Sequence, residues 1–168
     1  NIAIGTNALG ASTTGCHNIA IGDTAMGAAV TTGLDNIAMG LASMDALTSG
    51  LCNVALGVNA LGASTTGCLN IAIGDTALGA GVVTGKCNVA IGNAAMDALT
   101  CGLDNVALGQ NALGAMTRGC ENVAIGKNTM GGVTTGAALG NIAIGEGAIN
   151  GSASTAVSYT QRTPPTKI

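Results

Sequence analysis

The phrase Asn-Ile-Ala-Ile-Gly at residues 1–5 returns, with conservative changes, at Asn18, Asn36, Asn53, Asn70, Asn88, Asn105, Asn122 and Asn141. The steps between copies are 17, 18, 17, 17, 18, 17, 17 and 19 residues. All nine copies keep Asn first, Ala third and Gly fifth; the second place takes only Ile or Val, the fourth Ile, Leu or Met. A period so short means units that pack only on their neighbours, as in a solenoid. A second block follows each phrase, as in Ala8-Leu9-Gly10 and Ala60-Leu61-Gly62, and Thr-Thr-Gly closes many units, as at 13–15, 65–67 and 134–136. Residues 1–52 and 53–104 match almost line for line, so three short units make one longer unit.

Within the phrase, large apolar and small residues alternate, which is the period-2 pattern of a strand with unlike faces. Ile2 and Ile4 share one face and Ala3 takes the other. β-Branched residues at the second place suit a strand and disfavour a helix. Gly at the fifth place and near the end of each unit marks the bends. The pattern predicts an all-β fold: a β-solenoid or β-roll of about nine coils over residues 1–150, each with two short strands and two bends. Stacked about 4.8 Å apart, the coils make a rod about 43 Å long.

In-register stacking lines up like residues along the rod. Asn1, Asn18, Asn36, Asn53, Asn70, Asn88, Asn105, Asn122 and Asn141 are expected to form an amide ladder, to favour a turn, or both. Ala3, Ala20, Ala38, Ala55, Ala72, Ala90, Ala107, Ala124 and Ala143 form a column of small side chains that would let another backbone approach closely. Each coil has few large apolar residues, Ile2, Ile4 and Leu9 in the first, to offset the entropy of ordering it. The chain has no Phe or Trp, one Tyr, and only 8% charged residues. An isolated soluble rod should carry more surface charge. Both points predict that sister copies cover the Ala column, and the simplest closed arrangement of three thin rolls around an axis is a homotrimer.

The phrase Asn-Val-Ala-Ile-Gly-x-x-Ala, at 88–95 and at 122–129 with Thr129 in the last place, resembles the YadA-like head repeats of trimeric autotransporter adhesins. It is also similar to repeats in tail fibres of bacteriophages and other viruses. The likeness covers residues 1–150. It implies a left-handed β-roll, three chains to a trimer, in an elongated surface structure used for attachment. The unit here is longer than the adhesin unit, no coiled-coil stalk or membrane anchor follows, and cysteines are present. These departures point to a fibre or filament shaft on a virion or cell surface, ahead of an adhesin head that binds a receptor or glycan directly.

Other chemistry finds little footing. Cys16, Cys68 and Cys120 occupy one slot, 52 residues apart, while Cys52 and Cys87 sit one place later and Cys101 replaces a Thr. They read either as small residues in a slot that also takes Leu, or as disulfide partners: Cys52 with Cys68, Cys68 with Cys87, Cys101 with Cys120, or across copies. His17 is the one histidine, so Cys16-His17 lacks the upstream Cys of a haem-attachment motif. Asp23 and Asp75, Asp35 and Asp104, Asp45 and Asp97 recur as pairs 52 apart, which marks them as repeat products and not a converging catalytic set. No phosphate loop or calcium nonapeptide occurs. No cofactor or metal is expected, and the protein reads as a non-enzyme.

A net charge of −3 with five scattered cations excludes a nucleic-acid surface, and no apolar run is long enough to span a membrane. Thr13, Thr31, Thr48, Thr65, Thr100, Thr117 and Thr134 suggest a column broken by Val83, the basis of a rival ice-binding reading. The sequence opens in mid-pattern at Asn1, which reads as a piece of a longer chain open to head-to-tail stacking. Residues 151–168 lose the repeat and hold Pro164-Pro165; they read as an extended linker or as an inter-subunit tail centred on Ala156-Val157-Ser158-Tyr159.

Overall fold

A computed structural model describes residues 1–133 and 138–149, and the backbone of residues 160–161. The described chain is all-β, a β-solenoid whose strands repeat about every 17 residues. Its main sheet takes one three-residue strand from each phrase: β1 (Ile2–Ile4), β2 (Ile19–Ile21), β3 (Ile37–Met39), β4 (Val54–Leu56), β5 (Ile71–Ile73), β6 (Val89–Ile91), β8 (Val106–Leu108), β10 (Val123–Ile125) and β12 (Ile142–Ile144). β13 (Thr160–Gln161) adds a last short strand beside β12. Every pair is parallel and in register, so Ala lies on Ala from Ala3↔Ala20 to Ala124↔Ala143. A second sheet forms only where β7 (Cys101–Leu103), β9 (Arg118–Cys120) and β11 (Ala138–Leu139) stack. Below it, Lys86 pairs singly with Leu103 and Cys68 with Lys86; elsewhere among the described residues, turns and bends take the place of the second strand that the pattern led us to expect.

Tight corners explain that difference. Each complete coil carries three left-handed positions, and 24 of the described ones are not glycine. In the fourth coil they are Asn59 (φ 55), Leu61 (φ 51) and Leu69 (φ 58). Left-handed backbone costs an L-residue about 1–2 kcal/mol; core packing holds buried Leu61, and the amide bond to the Leu51 carbonyl at 2.9 Å holds exposed Leu69. The strand-end glycines are obligatory for another reason. At Gly57 (φ 140) a methyl group would lie 2.4 Å from the carbonyl oxygen of Gly74 on the next coil.

The core reverses the expected faces. Ala20, Ala38, Ala55, Ala72, Ala90, Ala107, Ala124 and Ala143 are wholly buried inside the single chain. They pack with the Leu/Met column of the second block, including Met26, Met44, Leu61, Leu78, Met96 and Leu113. In the middle of the stack Ile71 and Ile91 point outward and are 37% and 39% exposed, beside fully buried Ala72 and Ala90. The coil is too thin to take two large side chains per strand, so the methyl goes in and the large residues go out. Only Ala3, at the end of the stack, is exposed among its column.

The two 18-residue coils fit because neighbouring residues absorb the extra position. The insertion swings Val30 and Val82 outward and moves Thr31 and Val83 into the core beside Leu47 and Leu99. The displaced amides of Ala28 and Ala80 donate to Asp45 Oδ1 and Asp97 Oδ1, each at 2.9 Å, from the coil above. Those two aspartates are therefore fixed by the insertion and are more than solvated turn residues. Thr31, being buried, leaves the Thr column; the aligned hydroxyls are instead Thr32 with Thr48 and Thr65, and Thr84 with Thr100 and Thr117. Thr134 lies outside the described residues.

Candidate functional site: an asparagine spine and an apolar outer face

The asparagines stack as a spine along the inside of one edge. Asn18, Asn36, Asn53, Asn70, Asn88, Asn105, Asn122 and Asn141 are fully buried, while Asn1 is exposed at the end. Each Oδ1 accepts from the backbone amide of the next Asn, at 2.9 Å for Asn36 on Asn18 and 3.0 Å for Asn70 on Asn53. From Asn18 upward it also accepts from the next side-chain amide, as Asn88 Nδ2 donates to Asn70 Oδ1 at 3.0 Å. The remaining Nδ2 hydrogen closes the residue's own coil: Asn70 Nδ2 donates to the Gly85 carbonyl at 3.0 Å and Asn53 Nδ2 to Gly67 at 2.7 Å. One amide thus ties the start of a coil to its end and to both neighbours. Among the described residues, no buried side-chain nitrogen or oxygen lacks a partner.

Because Asn and Ala face inward, the residues between them face outward. The second place of the phrase runs Ile2, Ile19, Ile37, Val54, Ile71, Val89, Val106, Val123 and Ile142. The fourth runs Ile4, Ile21, Met39, Leu56, Ile73, Ile91, Leu108, Ile125 and Ile144. Neither column holds a polar residue, and none of these side chains is fully buried. At the left-handed corner before each Asn, Leu69, and just ahead of that corner Leu34, Leu51, Leu103 and Leu139, extend the exposed apolar surface. An apolar face that follows the whole stack is the kind that marks association.

Sequence reasoning placed the contact surface on the alanines and missed this face. A signal was present. The third position accepts Ala alone, as a tight interior demands, whereas the second and fourth tolerate different shapes. A face that pleats outward against adaptable surroundings has that tolerance.

The other candidates stay scattered. All six cysteines are free thiols; Cys16, Cys52, Cys87 and Cys101 are exposed, and Cys68 and Cys120 are half-buried. His17 Nδ1 lies 3.3 Å from Asp35 Oδ1, with both side chains mostly in solvent, a pairing worth little. Among the described residues no three His, Cys, Asp or Glu side chains gather as a metal cluster, and no helix is long and apolar enough to cross a membrane. The tail segment Ala156–Tyr159 lies outside the described residues. In comparisons with protein-family models, curated proteins and solved structures, nothing matches this chain.

Proposed function

We propose that this chain is a non-enzymatic structural element, the shaft of a fibre or filament on a virion or cell surface. Three copies associate side by side through the Ile/Val and Ile/Leu/Met columns. The observation that carries the reading is the unbroken apolar outer face, exposed or half-buried in every phrase and nowhere fully covered by the single chain. In this arrangement sister chains meet large side chains, and the alanines serve each chain's own core. The low charge supports it, since a lone rod would need polar groups where this chain has isoleucine. The function is then length and stiffness. Attachment to a receptor or glycan falls to other segments, and coils stacked head to tail would lengthen the rod.

Sedimentation equilibrium tests the proposal. The wild-type chain of 15.9 kDa is expected at three times that mass. The double variant Ile73→Lys/Ile91→Lys should sediment as a folded monomer with an unchanged circular-dichroism spectrum, because both side chains point away from the core. A wild-type chain that is monomeric at micromolar concentration would sink the reading.

A further inference from the structure

The six thiols are not equivalent in what they can reach. Cys16, Cys68 and Cys120 share a column but stand three coils apart, about 14 Å, too far for a bridge. Cys101 is in register with Arg118, and Cys120 lies two residues further along β9. That diagonal is about 8 Å, beyond the roughly 6.8 Å a disulfide spans between Cα atoms. Cys68 and Cys87 differ. Cys68 pairs in parallel register with Lys86, and the Cys87 amide donates to the Cys68 carbonyl at 3.2 Å. One rung of about 4.8 Å and one Cα step of about 3.8 Å, at the left-handed Cys87, set their Cα atoms about 6 Å apart, within the span of a disulfide. Both belong to the outer surface, Cys87 exposed and Cys68 half-buried. Cys52, on the coil below, is offset from Cys68 by one residue too. The Leu69 amide meets the Leu51 carbonyl at 2.9 Å, so Cys52 is the rival partner of Cys68, and a bond to it would fall inside residues 1–86.

We infer that Cys68 and Cys87 form a redox-dependent disulfide that clasps the fourth coil to the fifth. In the reduced form Cys68 Sγ donates a weak bond to the Thr66 carbonyl at 3.4 Å, and rotation about χ1 releases it toward Cys87. With a small-molecule disulfide such as oxidised glutathione as oxidant, one cysteine thiolate attacks a glutathione sulfur and expels a glutathione thiolate. The second cysteine, on losing its proton, displaces the other glutathione and closes the Sγ–Sγ bond. Two electrons pass from the two cysteines to the oxidant. The clasp covalently joins two coils otherwise held by hydrogen bonds and packing, and it does so independently of any association between copies.

The arrangement of cleavage sites makes a direct test. Trypsin cuts after Lys86 and Arg118, so Cys68 falls in fragment 1–86 and Cys87 in fragment 87–118. The full chain, dilute and treated with oxidised glutathione, is alkylated, denatured and digested, and its fragments are weighed with and without reductant. Expected are two of the six thiols protected from alkylation, a monomeric intact mass, and fragments 1–86 and 87–118 joined until reduced. The join should vanish in Cys68→Ser and in Cys87→Ser and persist in Cys52→Ser and Cys101→Ser, with unchanged circular dichroism confirming the fold of each. The inference is overturned by a join that survives Cys87→Ser, by cross-linking between copies, by a bond confined to fragment 1–86, or by six reactive thiols after oxidation.

Discussion

At the scale of single residues, the asparagine spine carries the greatest consequence. A buried Asn that accepts two bonds and donates to both its own coil and its neighbour leaves several groups stranded if it is removed. In Asn70→Ala, the Asn88 amide and the Gly85 carbonyl lose their partner inside the protein. Each unpaired buried group costs about 1–3 kcal/mol, so urea denaturation should show a loss of about 3 kcal/mol. Asn70→Asp should do no better, because its oxygen would face the Gly85 carbonyl without a hydrogen to share. A stability within about 0.5 kcal/mol of wild type in either variant would remove the spine from the account of folding. By contrast, the His17–Asp35 contact is exposed, and its loss should pass unnoticed.

At the scale of the coil, the tight fit between strand and second block sets the rules. Ala90 is fully buried, with Ala72 and Ala107 in register on either side. Ala90→Leu adds three carbons where no space exists, an overpacking that costs about 1–3 kcal/mol or more. The expected outcome is a lower thermal midpoint by circular dichroism, measured at a concentration low enough to keep chains apart. A variant that melts like wild type yet fails to associate would return the alanines to the outside of the rod. The left-handed corners belong to this scale too: leucine and methionine tolerate φ near 50° because their side chains fill the core that the corner encloses.

At the scale of the whole molecule, folding draws on one face of each strand and the proposed association on the other. The inner face holds amides and methyls, and the outer holds the large apolar groups. Contacts built from Ile, Val, Leu and Met with so few charges should respond little to ionic screening. Sedimentation in about 0.05 M and about 1 M sodium chloride should therefore give the same oligomer. Dissociation at high salt would point to ion pairs as the basis of assembly, which the outer columns do not contain.

The sequence alone determined the period, the strand in each coil, the parallel in-register stacking and the columns of like residues. All of these follow from translation of one unit along an axis. The alternation also told that Ile2 and Ile4 share a face opposite Ala3. It could not tell which face turns inward, because period 2 has no sign. That choice rests on the width of the closed coil, where Ala90 and Met96 meet and a pair of isoleucines has no room. The same holds for Thr31, which one inserted residue carries from the surface into the core, and for Asp45, whose partner Ala28 sits on another coil. Such outcomes depend on how the chain closes on itself, a property of the assembled coil and not of any short stretch of it.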